Sequence, residues 1–309
     1  MGELVAGTAE LGERDVDVLV GDAESPLTRL GGRQRRAPQE LDRGGTGHRG
    51  AFRVLSGSPA YNPGMTAFRA AVSLSALALA ATGGVAGAST SPPPSKLAPT
   101  HGPYAPKIRA ANFAATVDNP YLPYKPGTAF HFDGVRGTTP QTDDEVVLHR
   151  TKRILGIRAT VVRDTVSEHG RAVERTDDFY AQDKRGNVWY LGEDAFELQH
   201  GRFVKASDSW RSGVDGAKPG IIMPARPRPG DAYRQEYYPR GKALDEARVL
   251  RLTGTLTVPF GSFKHVLVTS EYSPAEPQTE QKYYARGVGE IAERVVKGHH
   301  EEFRLVGVN

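Results

Sequence analysis

From residue 128 onward, apolar and polar positions alternate with the period of extended chain. The run Ile157-Arg158-Ala159-Thr160-Val161 sends every second side chain to one apolar face, as a strand with one side in a core does. Runs rich in Val, Ile, Thr and aromatic residues recur at 128–132, 145–152, 157–167, 171–182 and 188–191. A small hairpin then pairs Phe196-Glu197-Leu198 with Arg202-Phe203-Val204 about His200-Gly201, and strands resume at 233–238, 248–258, 263–272, 280–285, 290–297 and 301–306. Turn residues separate these runs at roughly the 8–12-residue spacing of all-β folds. No long amphipathic helix follows residue 113, although 244–250 has room for one helical turn. The pattern predicts an all-β fold, a single domain over 113–309. Its sheet is antiparallel and strongly curved, a barrel or half-barrel of roughly eleven or twelve strands.

Two stretches break the rhythm. Pro120, Pro123 and Pro126 exclude helix and central strand, which leaves Tyr121, Leu122 and Tyr124 to plug one end of the core. Residues 207–230 hold Trp210 and Ile221-Ile222-Met223 among glycines and prolines, with no regular period. Loops of that length are usually functional or disordered, and these large apolar residues argue for an ordered loop packed on or into the sheet. Such a loop either fills the core or covers a ligand.

The stretch 173–194 organises the rest. Phe179-Tyr180-Ala181-Gln182 and Val188-Trp189-Tyr190-Leu191 flank Asp183-Lys184-Arg185-Gly186-Asn187, which reads as a β-hairpin. If Asp183 pairs with Asn187, Tyr180 faces Tyr190 and Asp177 faces Glu193. A two-residue Arg185-Gly186 turn instead sets Asp177 against Asp194 and Asp178 against Glu193. In both registers like charges oppose one another, which is destabilising, so an arginine, a cation, a shared proton or solvent must neutralise this end.

The first part of the chain reads differently. Residues 1–64 are rich in Gly, Arg and Asp with no sustained periodicity, and cannot bury enough apolar area to offset chain entropy. They read as a disordered extension or an over-extended gene model starting ahead of Met65. Residues 65–88 have a short basic start at Arg69, an uncharged Ala/Leu-rich middle and an Ala86-Gly87-Ala88 cleavage site, the order of a secretory signal peptide. Residues 89–112 form a Pro/Ser-rich linker expected to be extended and without a core face. The predicted location is secreted or extracytoplasmic, with no stable membrane span after cleavage.

Composition removes several chemistries. There is no cysteine, so disulfides, thiolate metal sites and thiol catalysis are excluded. The net charge of +4 is spread without a basic run, which speaks against nucleic acid as a partner. Neither G-x-S-x-G nor S-x-x-K occurs in a strand-to-helix context, and the histidines lack H-x-x-x-H spacing. No catalytic residue is therefore named. The carboxylates Asp177, Asp178, Glu193 and Asp194 have three readings: solvated charges balanced by arginines, a calcium site, or paired carboxylates for hydrolysis. Calcium is the one cofactor they suggest. The aromatic doublets send one ring to each face of the sheet. Tyr180, Trp189, Tyr190, Trp210, Ile221, Met223 and Tyr237 are the candidate lining of an apolar ligand site.

Tyr180-Ala181-Gln182-Asp183 with Gly186-Asn187-Val188-Trp189-Tyr190, then Gly213-Val214-Asp215-Gly216-Ala217-Lys218-Pro219-Gly220, then Tyr283-Tyr284-Ala285-Arg286-Gly287-Val288-Gly289 together resemble an uncharacterised family of secreted, β-rich bacterial proteins. The resemblance spans roughly 118–306 and implies export and an all-β fold. It implies no activity. The expected function is an exported binding or carrier protein, taking a small apolar molecule or an envelope component. A carboxylate-dependent hydrolase and a structural envelope protein without a small ligand are the alternatives.

Overall fold

The computed structural model describes residues 92–309. The expected signal peptide at 65–88 and the extension over 1–64 lie outside the described residues. Fourteen strands build one antiparallel sheet: β1 (Ala129–Arg136), β2 (Thr139–Ile154), β3 (Ile157–Glu168), β4 (Arg171–Gln182), β5 (Val188–Gln199), β6 (Arg202–Lys205), β7 (Lys218–Met223), β8 (Ala232–Arg234), β9 (Glu236–Tyr237), β10 (Glu246–Val258), β11 (Gly261–Tyr272), β12 (Thr279–Ala285), β13 (Gly289–Lys297) and β14 (Glu301–Val308). The main path runs β8-β10-β11-β12-β13-β14-β1-β2-β3-β4-β5-β7-β9, with the short β6 on β5. Its two end strands, β8 and β9, are chain neighbours separated by Gln235 alone. The sheet therefore curls into a nearly closed antiparallel barrel, as the strand pattern predicts.

The seam between the two ends needs a glycine. A side chain at Gly220 on β7 would place its Cβ 2.2 Å from the Gln235 carbonyl oxygen, so only a residue without Cβ lets the two backbones approach. This strand is also the main departure from the sequence pattern in 207–230. Lys218–Met223 pairs with β5, because Ile221 and Met223 find full burial there. Fully burying such side chains contributes roughly 1.5–3 kcal/mol each, enough to override the loop character of Pro219-Gly220. A second departure is at 244–250. No helical turn forms, since Ala247 and Val249 are buried in β10 and paired with β11.

The Pro/Ser-rich segment is not a bare linker. Pro94–Leu97 makes one helical turn, α1, and Ala98 and Tyr104 are buried in the core cluster. The Arg234 amide donates to the Ala98 carbonyl at 2.8 Å, the Tyr104 hydroxyl donates to the Pro219 carbonyl, and Lys218 donates to the Tyr104 carbonyl. An extended, proline-rich chain keeps its carbonyls unbonded to itself, and here they serve strands β7 and β8 beside the seam. Further on, Asn119 is buried and its amide donates to the carbonyls of Gly186 (2.9 Å) and Pro224 (3.1 Å). That clamp fixes the 119–127 segment across one end, where Leu122 and Tyr124 are buried and Tyr121 is half-buried against the core with Arg286 over its ring.

Candidate functional site

At the tip of the β4–β5 hairpin, Asp183 organises the turn. Its carboxylate accepts from the amides of Arg185 (2.9 Å) and Asn187 (3.0 Å), from Asn187 Nδ2 (2.9 Å) and from Trp189 Nε1 (3.0 Å). The Asp183 amide donates to the Asn187 carbonyl at 2.9 Å, and Tyr180 stands opposite Tyr190. Farther from the turn the other register takes over, with Asp177 opposite Asp194 and Asp178 opposite Glu193. Both registers considered from the sequence are thus present, joined by a bulge at Leu191-Gly192. Gly192 has φ +132°, and an added Cβ would lie 2.4 Å from the Trp210 carbonyl oxygen. That carbonyl accepts from the Glu193 amide at 2.9 Å, so the loop before β7 seals the bulged edge.

The pleat then divides the acidic end of the hairpin between two faces. Asp177 accepts from Arg163 (2.8 and 3.1 Å) and Arg150 (2.5 Å). Asp194 is bridged by Arg211 (3.0 Å), Lys205 (3.1 Å) and Lys152 (3.7 Å). Partial burial alone would raise these two carboxyls. The basic partners outweigh it and hold both below the usual carboxylate range. Asp178 and Glu193 point the other way, into the barrel. The four carboxylates therefore do not converge on one ion, because adjacent residues of a strand face opposite sides.

Inside lies a cavity of about 310 Å³. Ten carboxylates line it. They come from Glu145 on β2, Asp164 on β3, Glu174 and Asp178 on β4, Glu193 on β5, Glu236 on β9, Asp245, Glu271 on β11, Glu280 on β12 and Glu290 on β13. The single basic group in this lining is Lys282, whose ammonium lies 2.6 Å from Glu293 and 3.7 Å from Glu290. Those carboxylates push the Lys282 ammonium well above its ordinary range against the opposing effect of burial. Glu271 is well satisfied by Gln235 (2.9 Å) and Thr269 (2.7 Å) and belongs to the seam.

The remaining wall is aromatic. Tyr180 stacks on Tyr190 at 4.9 Å, Tyr124 on Tyr180 at 5.2 Å, and Trp210 stands edge-on to Tyr190 at 5.4 Å. Pairs of this kind contribute about 0.5–1.5 kcal/mol each beyond area burial. The Tyr190 hydroxyl contacts Glu193 at 2.8 Å and also touches Asp178. One hydroxyl has one proton to donate, so the second contact needs a carboxyl that brings its own. Burial, reinforced by neighbouring carboxylates, pushes Asp178 and Glu193 well up, and pushes Glu145 and Glu174 up to about 7. Burial is also the chief cause raising Asp164 to about 6 and Glu290 well up.

Of the residues expected to hold an apolar ligand, Tyr180 and Tyr190 line the cavity, and Trp210 backs Tyr190. Ile221 and Met223 are packed away in the core at 0% exposure, and the intervening Ile222 reaches the cavity instead. Trp189 turns to the opposite face, towards Asp183. Tyr237 packs edge-on against Tyr104 at 5.3 Å, with Lys218 and Arg234 over its ring. Eight of the cavity's carboxylates lay outside the sequence-based site. The available signal was polar side chains at alternate positions of one strand, as in Glu174, Thr176, Asp178 and Tyr180 on β4.

No family model matches this sequence, and no curated protein is similar to it. Two solved structures are similar in architecture. One is an exported-protein candidate of YmcC-like fold from Bacteroides fragilis, at 12% identity and TM-score 0.37, with 61% of this chain and 98% of that chain covered. The other is a lipoprotein candidate from Parabacteroides distasonis, at 10% identity and TM-score 0.34, with 62% and 99% covered. Likeness at this level carries no ligand or activity across.

Proposed function

We propose that this chain is exported and that its barrel binds a small positively charged ligand in the lumen. The observation that carries the reading is the make-up of the wall: ten acidic side chains against one lysine, in a chain whose net charge is +4. Basic residues are plentiful elsewhere, and on the other face of the same hairpin they pair with Asp177 and Asp194. Their scarcity inside is a property of the cavity. Gathering so many carboxyl groups in one buried wall is costly when they ionise, and an entering cation stabilises their ionised forms while the tyrosine faces add cation–π attraction. An apolar ligand, expected from the aromatic doublets, would gain nothing from this acidic wall. Export rests on the 65–88 pattern of a basic start, an apolar middle and an Ala-x-Ala site.

Isothermal titration calorimetry of the purified chain at low salt tests the ligand class. Spermidine or calcium should bind saturably and more weakly as salt is added, and laurate should give no heat. Laurate binding without cation binding would overturn the reading. The N-terminal mass of the protein recovered from its host's medium tests export, with Ser89 expected as the first residue. Retention of residues 65–88 would count against it.

A further inference from the structure

We propose that the carboxylates of Asp143, Glu145 and Asp164 form a divalent-cation site of calcium size in the lumen wall. The inference rests on the cationic-ligand reading above and names one cation and its place. Asp143 and Glu145 stand two residues apart on β2 and so share a face, and Asp164 stands on the adjacent strand β3. One oxygen from each lies within 4.8 Å of the others. Calcium bonds carboxylate oxygens at about 2.3–2.6 Å in a flexible shell, which suits three carboxylates gathered this closely. Magnesium demands near-ideal octahedral geometry and gives up its waters reluctantly, so it is the weaker fit to three carboxylates on a sheet wall. The all-oxygen donor set suits a hard cation rather than zinc or copper.

A second observation points to a missing partner. Asp143 Oδ1 and Asp164 Oδ1 are sealed from solvent and meet no donor from any other residue, only each other's carboxyl, which one shared proton or one cation can bridge. Buried polar oxygens in native proteins are otherwise nearly always satisfied. Lys282 does not fill the role, since its close contact is with Glu293 at 2.6 Å. Gln141 lies on the same face two residues before Asp143 and is 3% exposed. Its Nε2 donates to Glu168 at 2.8 Å, while its Oε1 is buried and has no partner. A neutral amide oxygen is an ordinary calcium ligand. The close Asp143–Asp164 carboxyl pair and the unpartnered Gln141 Oε1 therefore stand on one face of two neighbouring strands, beside a cavity with room for the waters that complete the shell. Tyr124, whose hydroxyl is 3.5 Å from Glu145, provides a reporter.

Terbium is of calcium size, seeks oxygen ligands and emits when a nearby tyrosine is excited. Titrating the full chain with terbium should give saturable emission that calcium displaces and magnesium displaces poorly. Asp143→Asn with Asp164→Asn should weaken calcium binding by more than about tenfold, because charge count sets the affinity of such sites. Glu145→Gln alone provides the same readout if the double variant does not fold by circular dichroism. Asp177→Asn, on the opposite face, should leave the titration unchanged. Unaltered calcium affinity in the amide variants would overturn the site. If calcium and terbium fail to bind while spermine binds and is lost in Glu193→Gln, the metal site falls and the cationic lumen stands. If no cation binds, both fall.

Discussion

The β4–β5 hairpin carries two acidic pairs one residue apart, and they have opposite fates. Asp177 and Asp194 face outward, gather five basic side chains at 4 Å or less, and titrate below the usual range. Asp178 and Glu193 face the lumen, share the Tyr190 hydroxyl, and titrate far above it. The residue types match, and so does the cross-strand opposition of like charges. What differs is the company that the pleat provides. The outer pair shows that this chain has the arginines and lysines to neutralise opposed carboxylates, whereas the inner pair meets the Tyr190 hydroxyl instead.

The largest effect should come from abolishing the switch between the two registers. Gly192→Val forces a Cβ into the Trp210 carbonyl at a backbone angle that β-branched residues avoid. A loss of at least about 3 kcal/mol is expected, measured by thermal or urea unfolding. A variant as stable as the parent would sink the account of the bulge.

Next is the pH dependence. A carboxyl raised by folding, such as Glu174 at about 7 against an ordinary 4.5, binds more protons folded than unfolded across that interval. Its contribution is fully present below about 4.5 and is lost as pH rises through about 7. Asp178 and Glu193 act in the same direction. Melting temperature should therefore fall between pH 5 and pH 8 in cation-free, low-salt buffer (roughly the span over which these groups ionise). Asp178→Asn with Glu193→Gln should flatten that slope. Asp177 and Asp194, with depressed values, work the other way and lose stability only as pH falls through the acid range.

A smaller effect separates the faces directly. Asp177→Asn should cost roughly 1 kcal/mol or less, the usual scale of a partly exposed pair, while Asp178→Asn should raise the melting temperature at pH 8. Like signs for the two substitutions would erase the distinction between the faces. The smallest effect on cation binding is expected at Trp189→Phe. It removes one donor to Asp183, worth about 1 kcal/mol, and should leave cation binding unchanged because Trp189 turns away from the lumen.

The strands and turns were readable in the sequence because period-two patterning and turn residues are local signals. The two registers of the hairpin were readable for the same reason. The bulge joining them was not, since it depends on the Trp210 carbonyl reaching Gly192 from the following loop. β7 was hidden by Pro219-Gly220, a pair that looks like a turn until the Gln235 backbone is seen to demand that glycine. The lumen carboxylates escaped because much of the sheet is covered on both sides. In β3, Ala159, Thr160, Val161 and Val162 are all buried, so alternation no longer distinguishes the inner face. The core face of 92–112 depended on docking against strands more than 100 residues later.

The pairing of β1 with β14 has a kinetic consequence. Every other link along the sheet joins strands close in sequence, so β1 to β7 with β9, and β8 with β10 to β14, can each zip up from short hairpins. Phe130 against Val308 closes a loop spanning nearly the whole described chain, and ordering so long a loop delays the contacts that reward it. Two half-shells should form early and wait for each other. Until they meet, the future lumen is an open trough whose carboxylates are bathed in water and fully charged, so a cation present at that stage can take its place before the wall closes around it.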